Sequence, residues 1–316
     1  MRYSREYLDR LAGTTGFPPD TLEKVLRLER MLTLVGEHPF LGPRVVLKGG
    51  TALNLFYQQA PRLSVDLDFN YIGSADRTVL LKERPDLERA VEQLAAGEEY
   101  QLQRAPEEHA GRKFYLGYRN AFGTPDRIEV DLNYLFRVPL APPIWREGWT
   151  PDPDVACRGH MAAVDEVMAG KLLALLDRVA ARDLYDVAQF AQMPPADPVA
   201  FRRLFIALSG VLPSPLTAYD TRHLRAFTQI DLDRQLVPFL RREVRVTPEV
   251  LEAQAARVLA PLLDLSAPER EYVERLQWGE FHPEMITGDI PEFVERLRIH
   301  PALLWKIQNA KMRPRR

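Results

Sequence analysis

The feature that most constrains the fold is a glycine pair followed, after a turn, by two carboxylates on alternate residues. Gly49-Gly50-Thr51 ends an apolar run and opens a helical pattern, and Asp66 and Asp68 lie on the next strand-like segment. Successive side chains of a strand point to opposite faces, so the two aspartates share one face while the apolar residues beside them enter the core. Because neighbouring carboxylates repel each other and lose hydration, folding alone gives little reason for this pattern.

The same residues indicate nucleotide chemistry. Glycines let backbone N–H groups approach a phosphate closely, and the N-terminus of the following helix favours an anion. A bound divalent cation would turn the repulsion between the carboxylates into attraction, and hard oxygen ligands suit Mg²⁺. We therefore predict that Lys48, Gly49, Gly50 and Thr51 bind a nucleotide and that the two aspartates bind Mg²⁺.

A third carboxylate is expected on a neighbouring strand, because two-metal phosphoryl transfer usually needs one. Residues 128–134 alternate so that Glu129, Asp131 and Asn133 share one face and apolar side chains share the other. The alternation alone leaves both Glu129 and Asp131 open as the third ligand.

The pattern Gly-Gly-Thr followed by Asp-x-Asp resembles the signature of DNA polymerase β-like nucleotidyltransferases. The longer string, LKGGTALNLFY followed by RLSVDLDF, resembles the AbiEii/AbiGii toxin family, which includes the MenT toxins. The resemblance favours Asp131 over Glu129 as the third metal ligand. It implies transfer of a nucleoside monophosphate from an NTP to an acceptor hydroxyl, with the 3′ end of a tRNA as the expected acceptor. A toxin of a type IV-like toxin–antitoxin or abortive-infection system also implies a cognate antitoxin.

A second motif combines a lysine on a helical pattern with two aspartates at the start of the next helix. Lys171 lies among apolar neighbours, where its stem could pass over the core or its charge could reach a triphosphate. The family resemblance favours the second alternative, because Lys171 and the run Arg182-Asp183-x-x-Asp186 match a lysine helix followed by Arg-Asp-x-x-Asp. In that family the lysine and one aspartate are required for activity, which leaves the choice between Asp183 and Asp186 open.

Ser64 is a further candidate, because it precedes Asp66 by two residues and strand alternation would place it on the carboxylate face. In the MenT toxins a serine at this place belongs to the active site and is blocked by phosphorylation. The resemblance therefore implies that Ser64 is a control point.

Composition and pattern set the domain organisation. The 316 residues form an α/β pattern with a mixed sheet up to residue 193, including N-terminal helices, and helical patterns only from 194 to 316. We expect a polymerase β-like core at 1–193 and an all-helical domain at 194–316. The proline-rich stretch 139–153 indicates a long surface loop or a domain junction without regular structure. We expect the carboxylate strand at 63–71, and a mostly helical segment at 77–96 in which Pro85 marks a break or a new helix start.

The remaining composition limits partners and location. The net charge is −2, so any basic surface must be local, as at residues 306–316, which we expect to contact RNA. The chain has one cysteine and thus no internal disulfide, which suits a reducing compartment. With no secretory signal and no long apolar run, we expect a cytoplasmic protein that uses neither membrane nor DNA.

Two other functions fit the residues. The same chemistry could modify a protein or a small molecule such as an aminoglycoside, or the chain could be an NTP-binding regulator without turnover. The sequence does not fix the NTP, the acceptor or the oligomeric state.

Overall fold

The chain forms two compact units. The computed structural model describes residues 2–106, 108–178, 180–288 and 290–312. Unit 1 comprises Met1–Arg137, Pro142–Ala163 and Pro238–Val244, and unit 2 comprises Val138–Ala141, Val164–Val237 and Arg245–Arg316. The boundary after residue 193 that the sequence suggests stays a prediction.

Unit 1 is built on a mixed sheet that has seven strands within the described residues. The strands are β1 Val45–Lys48, β2 Asp66–Tyr71, β3 Gln101–Arg104, β4 Gly111–Arg119, β5 Pro125–Asn133, β6 Ile144–Glu147 and β7 Arg158–Met161. Their order across the sheet is β3-β4-β5-β2-β1-β7-β6. The pairs β2–β5 and β1–β7 are parallel, and the other neighbours are antiparallel.

Helices cover one face of this sheet because one set of alternate strand residues is apolar. The helices of unit 1 are α1 Arg5–Thr15, α2 Pro19–Glu37, α3 Gly49–Thr51, which continues as the π-helix Ala52–Tyr57, and α4 Arg77–Gly97. Helix α2 packs on β2, β5 and β7, and α4 packs on β3. Beneath the helices lie fully buried strand residues such as Leu67, Phe114 and Val130. The opposite face carries the aspartates, as the alternation requires.

Unit 2 contains helices and loops, and no strand, within its described residues. Its α-helices are α5 Val164–Arg178, α6 Ala181–Gln189, α7 Pro198–Leu208, α8 Gln229–Gln235, α9 Pro248–Leu263, α10 Ala267–Gln277, α11 Glu284–Thr287, α12 Pro291–Arg298 and α13 Pro301–Lys311. Short 3₁₀ turns connect several of them, at Phe190–Gln192, Ser209–Val211, Leu216–Ala218 and Thr221–Ala226. Helix α6 packs between α5 and α9, so its two aspartates, Asp183 and Asp186, become buried.

The mixed α/β fold predicted from the sequence is confirmed, but three local predictions are wrong. The proline-rich connector contains β6, which pairs antiparallel with β7, because tertiary pairing overrides weak local propensity. Pro85 lies inside α4 without ending it, since a proline removes one helix hydrogen bond but accepts a helical φ. Strand β2 begins at Asp66 and not at Leu63, because the Leu63 N–H donates to the Phe239 carbonyl at 2.8 Å.

A buried ion pair within helix α2, which is also hydrogen-bonded to the turn between β4 and β5, provides a test of the fold. Glu23 is fully buried; its Oε1 accepts two hydrogen bonds from Arg27, at 2.7 and 3.0 Å, and its Oε2 accepts the Ala121 N–H at 2.7 Å. Glu23→Ala should reduce the free energy of unfolding by about 3–5 kcal/mol, because Arg27 stays buried without its counter-ion. Urea unfolding measures this loss. Asp86→Ala, which breaks an exposed pair with Arg89, should cost at most about 1 kcal/mol; equal effects would contradict the prediction.

Candidate active site

The structure places the three predicted metal ligands on one face of unit 1. Asp66 and Asp68 are partly exposed on β2, with the buried Leu67 between them facing the helices. The parallel register between β2 and β5 sets Asp68 opposite Asp131 and Asp66 opposite Glu129. Neighbouring strands lie about 4.8 Å apart, so each pair brings two carboxylates together.

Two lysines complete a row of charged residues that crosses four strands. The register places Lys48 of β1 opposite Asp68, and Lys113 of β4 opposite Asp131. We call Lys48, Asp68, Asp131 and Lys113 the charged row. The Lys113 Nζ lies 3.6 Å from Asp131 Oδ2 and 3.4 Å from Glu129 Oε2. Lys113 belongs to no sequence motif and was not predicted; only the pairing of β4 with β5 brings it beside Asp131.

The electrostatics of the charged row follow from its crowding. Burial raises the pKa of Asp131, and the negative charge of Asp68 raises it further, whereas Lys113 and Lys48 oppose both effects. Burial alone would lower the pKa of Lys113, but the carboxylates of Asp131 and Glu129 outweigh it and raise that pKa. The lysines therefore reduce the repulsion between carboxylates that stand opposite each other on neighbouring strands.

Gly49 brings the main chain against Asp68. Its φ of +73° is in the left-handed region, which glycine adopts without steric cost. A Cβ at this position would overlap the Asp68 carboxylate oxygen Oδ2 and lie 3.2 Å from its Cβ. The backbone at the start of α3 is thus close to a carboxylate because residue 49 has no side chain.

The other residues of the glycine motif connect the helix to the sheet. Thr51 is fully buried, and its hydroxyl donates to the Asp66 carbonyl at 2.5 Å. Gly50 is buried, and its carbonyl accepts a hydrogen bond of 2.9 Å from the Asn54 side-chain amide. The Thr51 bond positions the motif relative to β2, and the Asn54 bond lies within the helical segment. The predicted contact of the motif with a nucleotide stays a prediction.

Ser64 lies outside the strand that was expected to contain it. Strand β2 begins at Asp66, so strand alternation does not extend to Ser64, whose side chain is 5% exposed. The neighbouring Arg62 is also buried and donates to the Leu63 carbonyl at 2.8 Å. The proposed control by phosphorylation stays a prediction.

The donor set of unit 1 suits Mg²⁺. Among the described residues, no group of three or more His, Cys, Asp or Glu side chains is arranged to hold a metal ion. Mg²⁺ does not require such a cage, since it commonly binds one or two carboxylates and completes its shell with water and substrate phosphates. The neighbouring carboxylates of Asp68 and Asp131, with Asp66 beside them, supply only hard oxygen donors. The chemistry of these residues therefore fits a magnesium ion.

The second motif forms a buried charge cluster within unit 2. The Lys171 ammonium lies 2.9 Å from Asp183 Oδ1 and 2.9 Å from Asp186 Oδ2, and all three residues are buried. Arg178 approaches the other oxygen of Asp183 at 2.7 Å. Burial raises the pKa of Asp183, but Lys171 and Arg178 outweigh it and hold that pKa below its usual value. Lys171 is therefore engaged by both candidate aspartates, and neither aspartate is singled out.

The predicted basic C-terminal end is only partly described. Residues 313–316 lie outside the described residues. Lys306 is buried, and its ammonium donates to the carbonyls of Leu212 and Pro213, the latter at 3.3 Å, so this lysine does not form part of an exposed basic surface.

Within the part of the chain that the structure describes, every helix is too short or too polar to span a membrane.

A cavity of about 480 Å³ opens in unit 1 at the far ends of β4 and β5. Its charged lining includes Arg27, which is bonded to Glu23, and Glu98, which pairs with Arg30 at 2.9 Å. The register separates this cavity from the charged row. The cavity is therefore not part of the candidate active site.

Comparison with known proteins finds a matching family and a similar solved fold. Residues 32–309 match the family described as "Nucleotidyl transferase AbiEii toxin, Type IV TA system". The fold is similar to that of MenT4, a nucleotidyltransferase toxin from Mycobacterium tuberculosis H37Rv, with a TM-score of 0.66 and 21% identity over 94% of this chain and 99% of that chain. No curated protein matches the sequence significantly.

Gly49→Ala should disturb the charged row. The new methyl group would overlap Asp68 Oδ2, and alanine disfavours a φ of +73°, so we expect a loss of about 1–3 kcal/mol in the free energy of unfolding. Urea unfolding measures that loss, and calorimetric titration with MgCl₂ and a non-hydrolysable NTP measures binding. The control is Gly13→Ala, whose Cβ meets nothing within 4 Å inside α1 and should not destabilise the protein. Unchanged stability and binding in Gly49→Ala would contradict the close approach.

Lys171→Met should destabilise the protein by about 3–5 kcal/mol at pH 7, because Asp183 and Asp186 stay buried without their cation. Folding lowers the pKa of Asp183 below its ordinary value of 3.8. The ionised carboxylate therefore contributes its full stabilisation of the folded protein above pH 3.8, and this contribution is lost as the pH falls through the folded-state pKa. The difference between the two proteins should therefore shrink in acid. Urea unfolding at several pH values measures it, with the exposed Lys82→Met as control. A variant as stable as the wild type at pH 7 would exclude a structural role for this cluster.

Proposed function

We infer the reaction of this chain from the premise that it belongs to the AbiEii family of nucleotidyltransferase toxins of type IV toxin–antitoxin systems. It is accordingly a nucleotidyltransferase. We propose that it transfers a nucleoside monophosphate from an NTP to the 3′-terminal hydroxyl of a tRNA and releases pyrophosphate. The observation that supports this proposal best is the charged row, which combines paired carboxylates, two lysines and a glycine-rich helix start.

Asp66, Asp68 and Asp131 are the proposed ligands of Mg²⁺. The bound ion would supply positive charge that aligns the attacking oxygen and neutralises the leaving pyrophosphate. Glu129 stands beside Asp66 in the same register and is available as a further carboxylate. The protein contributes rigid positions, since all four carboxylates alternate with buried residues on two paired strands.

Other residues of unit 1 are proposed to bind the triphosphate and to hold the glycine motif in place. The N–H groups at Gly49 and Gly50, where α3 begins, and the ammonium of Lys48 are proposed to bind the triphosphate. Thr51 is proposed to act through its hydrogen bond to the Asp66 carbonyl, which fixes the helix start relative to β2. Positioning and electrostatic stabilisation then account for most of the catalysis.

The cluster of unit 2 is assigned by resemblance to the family motif. Lys171 is proposed to bind phosphate, and Asp183 or Asp186 is proposed to orient the nucleotide or the acceptor. A phosphate oxygen would then replace one carboxylate oxygen around the Lys171 ammonium, which is 2.9 Å from both aspartates. Ser64 is proposed as a residue whose modification blocks the reaction.

The biological role follows from the family. A type IV toxin implies a cognate antitoxin, and an acceptor tRNA implies action in the cytoplasm, where NTPs and tRNA are present. The antitoxin would counteract the reaction without necessarily binding the toxin tightly.

The reaction is tested with NTPs labelled at the α-phosphate. Wild-type protein incubated with Mg²⁺ and total RNA should label the tRNA fraction, whereas γ-labelled NTP should not. Asp66→Ala and Asp68→Asn should lose at least about a hundredfold in rate, since each removes a proposed metal ligand, and EDTA should stop the wild-type reaction. Asp126→Asn, on β5 but facing away from Asp131, should keep its activity.

Full activity in Asp66→Ala would exclude the proposed site. Label in protein or in a small molecule in place of RNA would keep the chemistry and replace the acceptor.

A further inference from the structure

The face that carries the metal carboxylates continues beyond them across β5, β4 and β3. Residues that lie directly opposite each other on paired strands share a face of the sheet. On this face they form three rows that run across the strands. Next to the charged row lies a second row of Gln103, Tyr115, Glu129 and Asp66, and then a third of Gln101, Gly117 and Arg127. We call the part formed by Gln101, Gln103, Tyr115, Gly117, Arg119 and Arg127 the open face.

The open face is solvent-accessible and polar. The side chains of Gln101, Gln103, Arg119 and Arg127 are exposed, and that of Tyr115 is half-buried. Helices α2 and α4 pack against the opposite face, where Leu116 and Ile128 are fully buried. No large aliphatic side chain is exposed on the open face within the described residues, although Leu102 is partly exposed on the opposite face.

Tyr115 and Arg127 form a stack at the centre of this surface. The guanidinium carbon of Arg127 lies 4.4 Å from the centroid of the Tyr115 ring, and one guanidinium nitrogen lies 3.2 Å from Glu129 Oε1. The Arg127 side chain is 56% exposed, so the stack has an accessible outer surface. Aromatic rings and guanidinium planes are the groups on which unpaired bases stack.

We propose that the open face binds the single-stranded 3′ end of the RNA acceptor, with one base stacked on the Tyr115–Arg127 pair. This inference rests on the proposed function and adds the surface that presents the acceptor to it. Tyr115 lies in the same row as Asp66, two strands away, at about 10 Å. A base at Tyr115 therefore places the end of the chain near the carboxylates.

The chemistry of the open face favours RNA over a protein segment. The buried core of a protein interface is more apolar than the rest of the surface, and the open face exposes no large aliphatic side chain within the described residues that could form such a core. Arg119 and Arg127 suit phosphates, and the side-chain amides of Gln101 and Gln103 can both donate to and accept from base edges.

Binding of a fluorescein-labelled single-stranded RNA 12-mer, measured by anisotropy without NTP, tests the inference. Tyr115→Ala should raise the Kd on the order of tenfold to a hundredfold, because a base loses its stacking partner. Tyr115→Phe should restore most of the binding. Arg127→Ala should also weaken it and should reduce its salt dependence. Because Arg127 is exposed, that variant tests the surface even if Tyr115→Ala does not fold.

Arg104→Ala is the matched control. Arg104 lies on β3, is 52% exposed and makes one ion pair with Glu92, but it faces away from the open face. It should bind the 12-mer as the wild type does.

Steady-state transfer to total tRNA separates the acceptor from the donor. Tyr115→Ala should raise the KM for tRNA and leave the KM for the NTP unchanged. A wild-type protein that does not bind the 12-mer, an unchanged Kd in both variants, or an increase in the NTP KM alone would overturn the inference. The binding measurement needs no turnover, so it tests the RNA surface separately from the reaction. A wild-type protein that transfers nothing, or that labels protein in place of RNA, would overturn the proposed reaction, whereas the Kd values alone decide the RNA surface.

Discussion

The charged row, formed by Lys48, Asp68, Asp131 and Lys113, is the constraint on which the rest of unit 1 depends. Two carboxylates face each other across parallel strands, and a lysine follows on each outer side. Like charges directly opposite in a sheet are destabilising, so the row needs both the lysines and a partly exposed setting. Gly49 is part of the same constraint, because only a residue without a side chain lets the start of α3 lie against Asp68.

The cluster of unit 2 combines the same kinds of charge in a different environment. Lys171 binds two aspartates that are almost completely buried, whereas Lys113 remains 38% exposed beside its carboxylates. Removing one partner from a buried pair leaves an uncompensated charge, and an exposed pair is screened by water. Lys171 is consequently tied to stability as well as to any role in the reaction, and loss of activity in a Lys171 variant has to be separated from loss of folding.

Sequence periodicity predicted the parts of the site that lie on single strands. The shared face of Asp66 and Asp68, and that of Glu129 and Asp131, follow from alternation alone. Alternation does not determine which strands pair or in which register, so the contribution of Lys113 and the opposition of Asp68 and Asp131 were not predictable. The ion pairs of Lys171 with Asp183 and Asp186 depend on the packing of α5 against α6. The helical pattern gave only their spacing along the chain.

Strand pairing fixes the carboxylates of the site, whereas its lysines have flexible stems. This combination suits a site that binds a charged substrate. Asp66, Asp68 and Asp131 are positioned by backbone pairing and by buried neighbours, so they form a fixed set of oxygen donors. Lys48 and Lys113 carry their charges on flexible stems and remain partly exposed. On the proposed function, a bound Mg²⁺ would neutralise the carboxylates, and the ammonium groups of Lys48 and Lys113 would then be available to phosphate oxygens. The two carboxylates and the two ammonium groups of the charged row have formal charges that cancel, which lowers the cost of placing charges in a partly buried site.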